Sequence, residues 1–170
     1  RALKKVVLAC HRVWFPTPEE PMDLTETVER YILDVKARLR LMRVRYDPTQ
    51  MQTTAMNLRK KHVIMEEFPQ TGENLTQASQ LLAELIEYGG LLLYADDEMR
   101  NQALATAAVS GRRGFKLDKQ KASRKIDLVV ALAGAAHCAV EHGSYEGRPI
   151  EVRSPFSDLV RGQRWGPEEA

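Results

Sequence analysis

The chain has 170 residues, 28% of them charged and 44% hydrophobic, with a formal net charge of +2. It is long enough for one domain with a real core, and too near neutral for nucleic-acid binding to follow from overall charge. No apolar run reaches membrane-spanning length, no signal peptide is expected, and two distant cysteines, Cys10 and Cys138, predict buried free thiols rather than a disulfide framework or a metal knuckle.

The first residue is Arg1 rather than Met, so the chain is expected to be a piece of something longer. Lys4 to Phe15 is rich in β-branched and aromatic residues and predicts a strand. Pro16, Pro18 and Pro21 end it. A helix is predicted from Asp23 to Arg40, with Leu24, Val28, Tyr31, Ile32, Val35 and Leu39 on one face and Asp23 with Glu26 as a capping pair. Leu41 to Tyr46 predicts a short strand stopped by Asp47-Pro48, and Pro48 suits the start of a helix over Thr49 to Lys61. His62 to Phe68 predicts a third strand, and Pro69 to Glu73 a turn.

Leu75 to Tyr88 is amphipathic through Ala78, Leu81, Leu82, Leu85 and Ile86, and Gly89-Gly90 terminates it. Leu91 to Tyr94 is expected to be extended, and Asp96 or Asp97 to cap a helix over Glu98 to Val109. Ser110 to Arg124 reads as a hairpin or mobile loop, Lys125 to Val140 as an apolar helix, and Ser144 to Ala170 as a tail with weak structure of its own. Alternating strands and helices predict an α/β domain with a largely parallel core sheet. The sequence holds no internal repeat and no GxxxxGK[ST] phosphate loop.

Two carboxylates are candidates for chemistry. Asp47 closes a strand at the edge where open α/β folds bind ligands, although Asp-Pro is also an ordinary turn and helix-start signal. Asp127 begins the apolar helix; steps of three and four from it reach Val130, Ala131, Gly134 and Cys138, a small face expected to pack against the fold. Asp127 also suits a plain helix cap. Together the two acids could converge on Mg²⁺ or Mn²⁺, which favour hard oxygen ligands. A third candidate is the cationic run Arg112, Arg113, Lys116, Lys119, Lys121, Arg124 and Lys125, opposed only by Asp118. It is either a solvated face or a clamp for phosphate backbone. His11, His62, His137 and His142 show no ligand spacing, so no zinc site is expected, and Asp96-Asp97 reads as a turn and cap. Trp14 and Phe15 are expected to pack in the core or at its edge, and Trp165 to serve a partner.

The order of VRYDPTQM (44–51), MEEFPQT (65–71), LTQASQLLAELIEYGGLLLYADDEMRNQALATAAV (75–109) and GFKLDKQKASRKIDLVVALAGA (114–135) resembles the nuclease domain of tailed-phage terminase large subunits. The resemblance runs from about Val13 to Val140, and its most specific parts are Asp47-Pro48 and the Lys-Ile-Asp-x-x-Val-Ala-Leu pattern at 125–132. It implies an α/β, ribonuclease H-like domain over residues 1–143, with a central mixed sheet flanked by helices, followed by the tail. It also implies an endodeoxyribonuclease, a hydrolase that cuts concatemeric viral DNA with two Mg²⁺ or Mn²⁺ ions. Asp47 matches the family acid at the end of the central strand, and Asp127 the one on the last helix. The remaining family acid lies on a first strand upstream of Lys4 to Phe15, as does the ATPase motor. Implied partners are double-stranded DNA, the phage portal, the small terminase subunit and the ATPase domain, with no membrane; the implied location is the bacterial host cytoplasm. The alternatives are another ribonuclease H-like nuclease of resolvase or integrase type, or a non-catalytic truncated module that binds DNA or portal.

Overall fold

The computed structural model describes residues 5–112, 114–121 and 123–143; Lys4, Arg113, Ala122 and the expected tail at 144–170 lie outside the described residues. Strand β1 is Val6–Val7 and helix α1 is Arg30–Arg38, entered through a wide helical turn at Thr25–Glu29. Asp23 starts that turn as predicted, its Oδ1 accepting from the N–H groups of Thr25 and Glu26. Strand β2 (Val44–Tyr46), helix α2 (Pro48–Lys60) and strand β3 (Met65–Glu67) form one crossover, in which β2 and β3 pair in parallel, Val44 opposite Met65 and Tyr46 opposite Glu67. The end of α2 is tied down by Lys36 Nζ, which donates to the carbonyls of Lys61 and of His62, a residue in the left-handed region at φ 59°.

Helix α3 (Gly72–Glu87) starts on the Thr71 hydroxyl and ends before Gly89, whose φ of 63° is the left-handed conformation that stops a helix. Strand β4 (Leu91–Leu92) runs parallel to β1. Asp96 then caps α4 (Asp97–Leu104), accepting from Met99 N at 2.7 Å. Strands β5 (Thr106–Gly111) and β6 (Gly114–Lys119) make an antiparallel hairpin, and α5 (Asp127–His142) closes the described chain. No helix of the described residues is long and apolar enough to cross a membrane.

The architecture is mixed α/β, but the expected central mixed sheet is corrected. The described strands form three separate two-stranded sheets, β1–β4, β2–β3 and β5–β6. The first predicted strand, Lys4 to Phe15, shrinks to Val6–Val7, because its partner offers only Leu91–Leu92 before the chain leaves for the Asp96 cap. Predicted helix Glu98 to Val109 stops at Leu104. From Thr106 the backbone has a partner in β6, with Ala107 opposite Asp118 and Val109 opposite Lys116, and pairing overrides the helix propensity of alanine. The segment 110–124 is thus largely the hairpin. Gly114 sits where the hairpin crosses α3: its φ is 125°, and a Cβ there would fall 1.9 Å from Gln80 Nε2.

Two hydrophobic clusters hold these parts. In one, Ala78, Leu82 and Leu85 of α3 pack with Met99 and with Leu128, Val129, Leu132, Ala133 and Ala136 of α5. In the other, Tyr46 and Met65 of the β2–β3 pair pack with Ala55 and Leu58 of α2 and with Val63. Cys138 is buried as predicted; Cys10 is exposed, which corrects that expectation, since the irregular segment after β1 turns Leu8 and Val13, not Cys10, toward the first cluster. Trp14 is half-buried edge-on against Tyr31, and Phe15 points out, 61% exposed.

Candidate functional site

A cavity of about 680 Å³ opens where the end of β2 faces α5, with α3 and Leu117 of β6 along its side. Asp47 and Asp127 both line it. Alternation along β2 puts Tyr46 into the α2 cluster, and Arg45 and Asp47 on the opposite face toward α5. Asp47 does act as a helix cap: its Oδ1 accepts from Thr49 N at 3.0 Å and from Thr49 Oγ1 at 2.7 Å. Its Oδ2 makes no hydrogen bond among the described residues.

Asp127 is exposed, at the first position of α5, and its carboxylate makes no cap bond and no ion pair among the described residues. Of the small-residue face expected to pack against the fold, Cys138 is buried, but the part nearer Asp127 does not pack, which corrects that expectation. Val130, Ala131 and Gly134 form cavity wall, while Leu128, Val129, Leu132, Ala133 and Ala136 take the side against α3. A Cβ at Gly134 would meet nothing within 4 Å.

What fixes the start of α5 is Gln102, a residue that sequence reasoning missed. It is buried in α4, and its Oε1 accepts from Leu128 N at 2.8 Å while Nε2 donates to Glu98 at 2.7 Å. No pattern in the sequence marks it, since a lone Gln on a helix is an ordinary surface residue.

Further along the cavity wall, Arg45 is the centre of a charged cluster. Its guanidinium is 7% exposed and donates to Glu66 Oε1 at 2.6 Å, to Glu141, and to His137 Nδ1 at 2.7 Å. Arg43 Nη1 holds the other Glu66 oxygen at 2.7 Å. Burial alone would raise the Glu66 carboxyl, but the two arginines hold it below the usual carboxylate range. Burial and the Arg45 charge push the His137 imidazole down, and burial pushes the Cys138 thiol up. The cluster was missed because Arg43, Glu66 and Glu141 are far apart in sequence and meet only when β2, β3 and α5 assemble.

The cationic run is divided by the fold. Lys116 is half-buried on β6 and lies 3.7 Å from Asp118, whereas Arg112, Lys119, Lys121, Arg124 and Lys125 are exposed. Arg113 lies outside the described residues. Lys121, Arg124 and Lys125 lead straight into Asp127, beside the cavity mouth.

Fold and cavity together define a mixed α/β domain in which a strand-end acid and a helix-start acid line one cavity. The fold resembles that of a solved structure, the HK97 bacteriophage large terminase, with a TM-score of 0.62 and 22% identity over 72% of this chain. The match takes in 26% of that terminase, about a quarter of its length. No family model and no curated protein sequence matches the chain.

Proposed function

We propose that this chain is the ribonuclease H-like nuclease domain of a phage DNA-packaging terminase large subunit, an endodeoxyribonuclease dependent on Mg²⁺ or Mn²⁺. The observation that carries the reading is that Asp47 and Asp127 line the same cavity, each with carboxylate oxygen left over by the fold. Such oxygens suit hard divalent cations, so the residues present fit the metals that this chemistry requires. Bound there, the cations supply activation of water and neutralisation of charge on the leaving oxygen of a phosphodiester.

The chain's own groups supply the rest. Asp47 presents its free oxygen from a side chain already pinned by Thr49, so little rotamer freedom is lost on binding. Asp127 is oriented by the turn that Gln102 fastens. Lys119, Lys121, Arg124 and Lys125 attract the phosphate backbone toward the cavity mouth without reading sequence. Partners in this reading are double-stranded DNA, an ATPase motor domain, the small terminase subunit and a portal.

The test is nicking of supercoiled plasmid by the full-length protein with Mn²⁺ or Mg²⁺. Asp47→Asn and Asp127→Asn should each abolish cleavage while melting near the wild-type temperature and keeping DNA affinity. Variants that cut at the wild-type rate would reduce the two acids to a helix cap and a solvated side chain.

A further inference from the structure

The far end of α5 gathers a second set of ligand atoms. Cys138 and His142 are four residues apart and so leave the helix on one face, and Glu66 of β3 reaches them from across. One atom from each, a thiol sulfur, an imidazole nitrogen and a carboxylate oxygen, lies within 4.8 Å of the other two. His142 Nε2 is 3.3 Å from Glu66 Oε2. We propose that Glu66, Cys138 and His142 form a binding site for a soft divalent transition metal of the zinc type. This site is separate from the hard-cation pair Asp47 and Asp127, and it stands whether or not the chain is a nuclease.

Sulfur, imidazole nitrogen and carboxylate oxygen are zinc ligands, and three from the protein leave a fourth position for water. Comparing the four histidines only with one another overlooked the pairing of a cysteine with a histidine one helical turn on. Cys138 and His142 also both line the cavity, which gives an ion a way in.

The strongest force against a cation here is the pair Arg43 and Arg45. Glu66 and Glu141 balance them, so the cluster without metal is near neutral. Arg45 binds Glu66 through Oε1, which leaves Oε2 shared between Arg43 and His142. Arg43 is the weaker holder: its side chain is 31% exposed, and its Nε is buried without a partner among the described residues. A metal that takes Oε2 therefore displaces Arg43 toward solvent and leaves Arg45 on Oε1, orienting the ligand carboxylate from outside. Burial keeps the Cys138 sulfur protonated in the absence of metal. On binding, the S–H bond breaks, the proton passes to water, and a sulfur–metal bond forms with no change of oxidation state. The thiolate is then the charge that the metal neutralises. The bound ion would pin the last turn of α5 to β3.

Titration with Co²⁺ under reducing, oxygen-free conditions tests this. The expected result is a near-ultraviolet thiolate-to-cobalt band that saturates at one ion per chain, is displaced by Zn²⁺, and resists excess Mg²⁺. Cys10→Ser and Asp47→Asn should leave the band intact, Cys138→Ser should remove it, and His142→Ala or Glu66→Gln should weaken affinity about tenfold or more. Zn²⁺ should raise the melting temperature of the wild type and not that of His142→Ala. No band in the wild type, a band that survives Cys138→Ser, or one that needs Cys10 overturns the proposal. If Cys138→Ser fails to fold, His142→Ala at the exposed helix end decides, and unchanged affinity there overturns it equally.

Discussion

Gln102 of α4 accepts the N–H of Leu128 at 2.8 Å, and this bond fastens the first turn of α5, which begins with no side-chain cap of its own. Gln102→Ala leaves that buried N–H unpaired, which costs about 1–3 kcal/mol. The expected outcome is a lower melting temperature. At a temperature where the variant is still folded, metal-dependent cleavage by the full-length protein should also fall, because Asp127 sits on the loosened turn. Wild-type melting would show that water replaces the glutamine without loss.

Arg45 bridges β2, β3 and α5 through Glu66, His137 and Glu141. Arg45→Met fills similar volume but strips those partners of their shared donor. Glu66 is partly exposed and keeps Arg43, so the expected loss is about 2 kcal/mol, below the cost of breaking a fully buried pair. Denaturant unfolding at neutral pH measures it.

The same cluster sets the acid sensitivity of the fold. His137 titrates below its usual 6.5 and Glu66 below its usual 4.5 in the folded chain. Glu141 is lowered as well, chiefly by its bond to Arg45. In each case the unfolded chain takes up the proton first on acidification. Stability from His137 is therefore complete above 6.5 and is lost as pH falls through its depressed folded value. The carboxylates repeat this below 4.5. Melting temperatures between about pH 8 and pH 2 should fall in two stages, and His137→Asn, which cannot titrate, should remove the upper stage only.

Binding to DNA should divide along the hairpin. Lys119→Ala and Lys121→Ala should each lower the slope of log affinity against log salt by about one, similarly for all sequences. Lys116, already beside Asp118, should contribute less. Equal slopes for all three single variants and the wild type would make the run an ordinary solvated face.

Local chemistry was legible in the sequence wherever one short segment decides the outcome. The Asp47-Pro48 helix start, the Asp96 cap, the Gly89 stop and the amphipathic α3 were all readable, because cap, breaker and periodicity lie within a few residues of one another. What needed partners was not. The length of β1 is set by β4, eighty-odd residues away, and the alanines after Leu104 become strand only because β6 lies opposite. The orientation of Asp127 was misjudged for a related reason. A helix apolar on nearly every side does not announce which side the rest of the protein will take, and small residues stand on both the cavity wall (Ala131, Gly134) and the packed face (Ala133, Ala136).

Gly134 stands in the middle of α5, where alanine would favour the helix by about 0.5–1 kcal/mol. Among the described residues nothing obstructs that change, since an added methyl would touch no neighbour there. The chain thus forgoes stability at a position where its own packing asks for no vacancy, and the open space belongs to whatever enters the cavity. Gly134→Ala should melt higher than the wild type, and Gly134→Leu should fold and yet exclude an incoming DNA strand. A bulky residue there would work as a plug, giving a folded protein whose cavity is closed while Asp47, Asp127 and every cation remain in place.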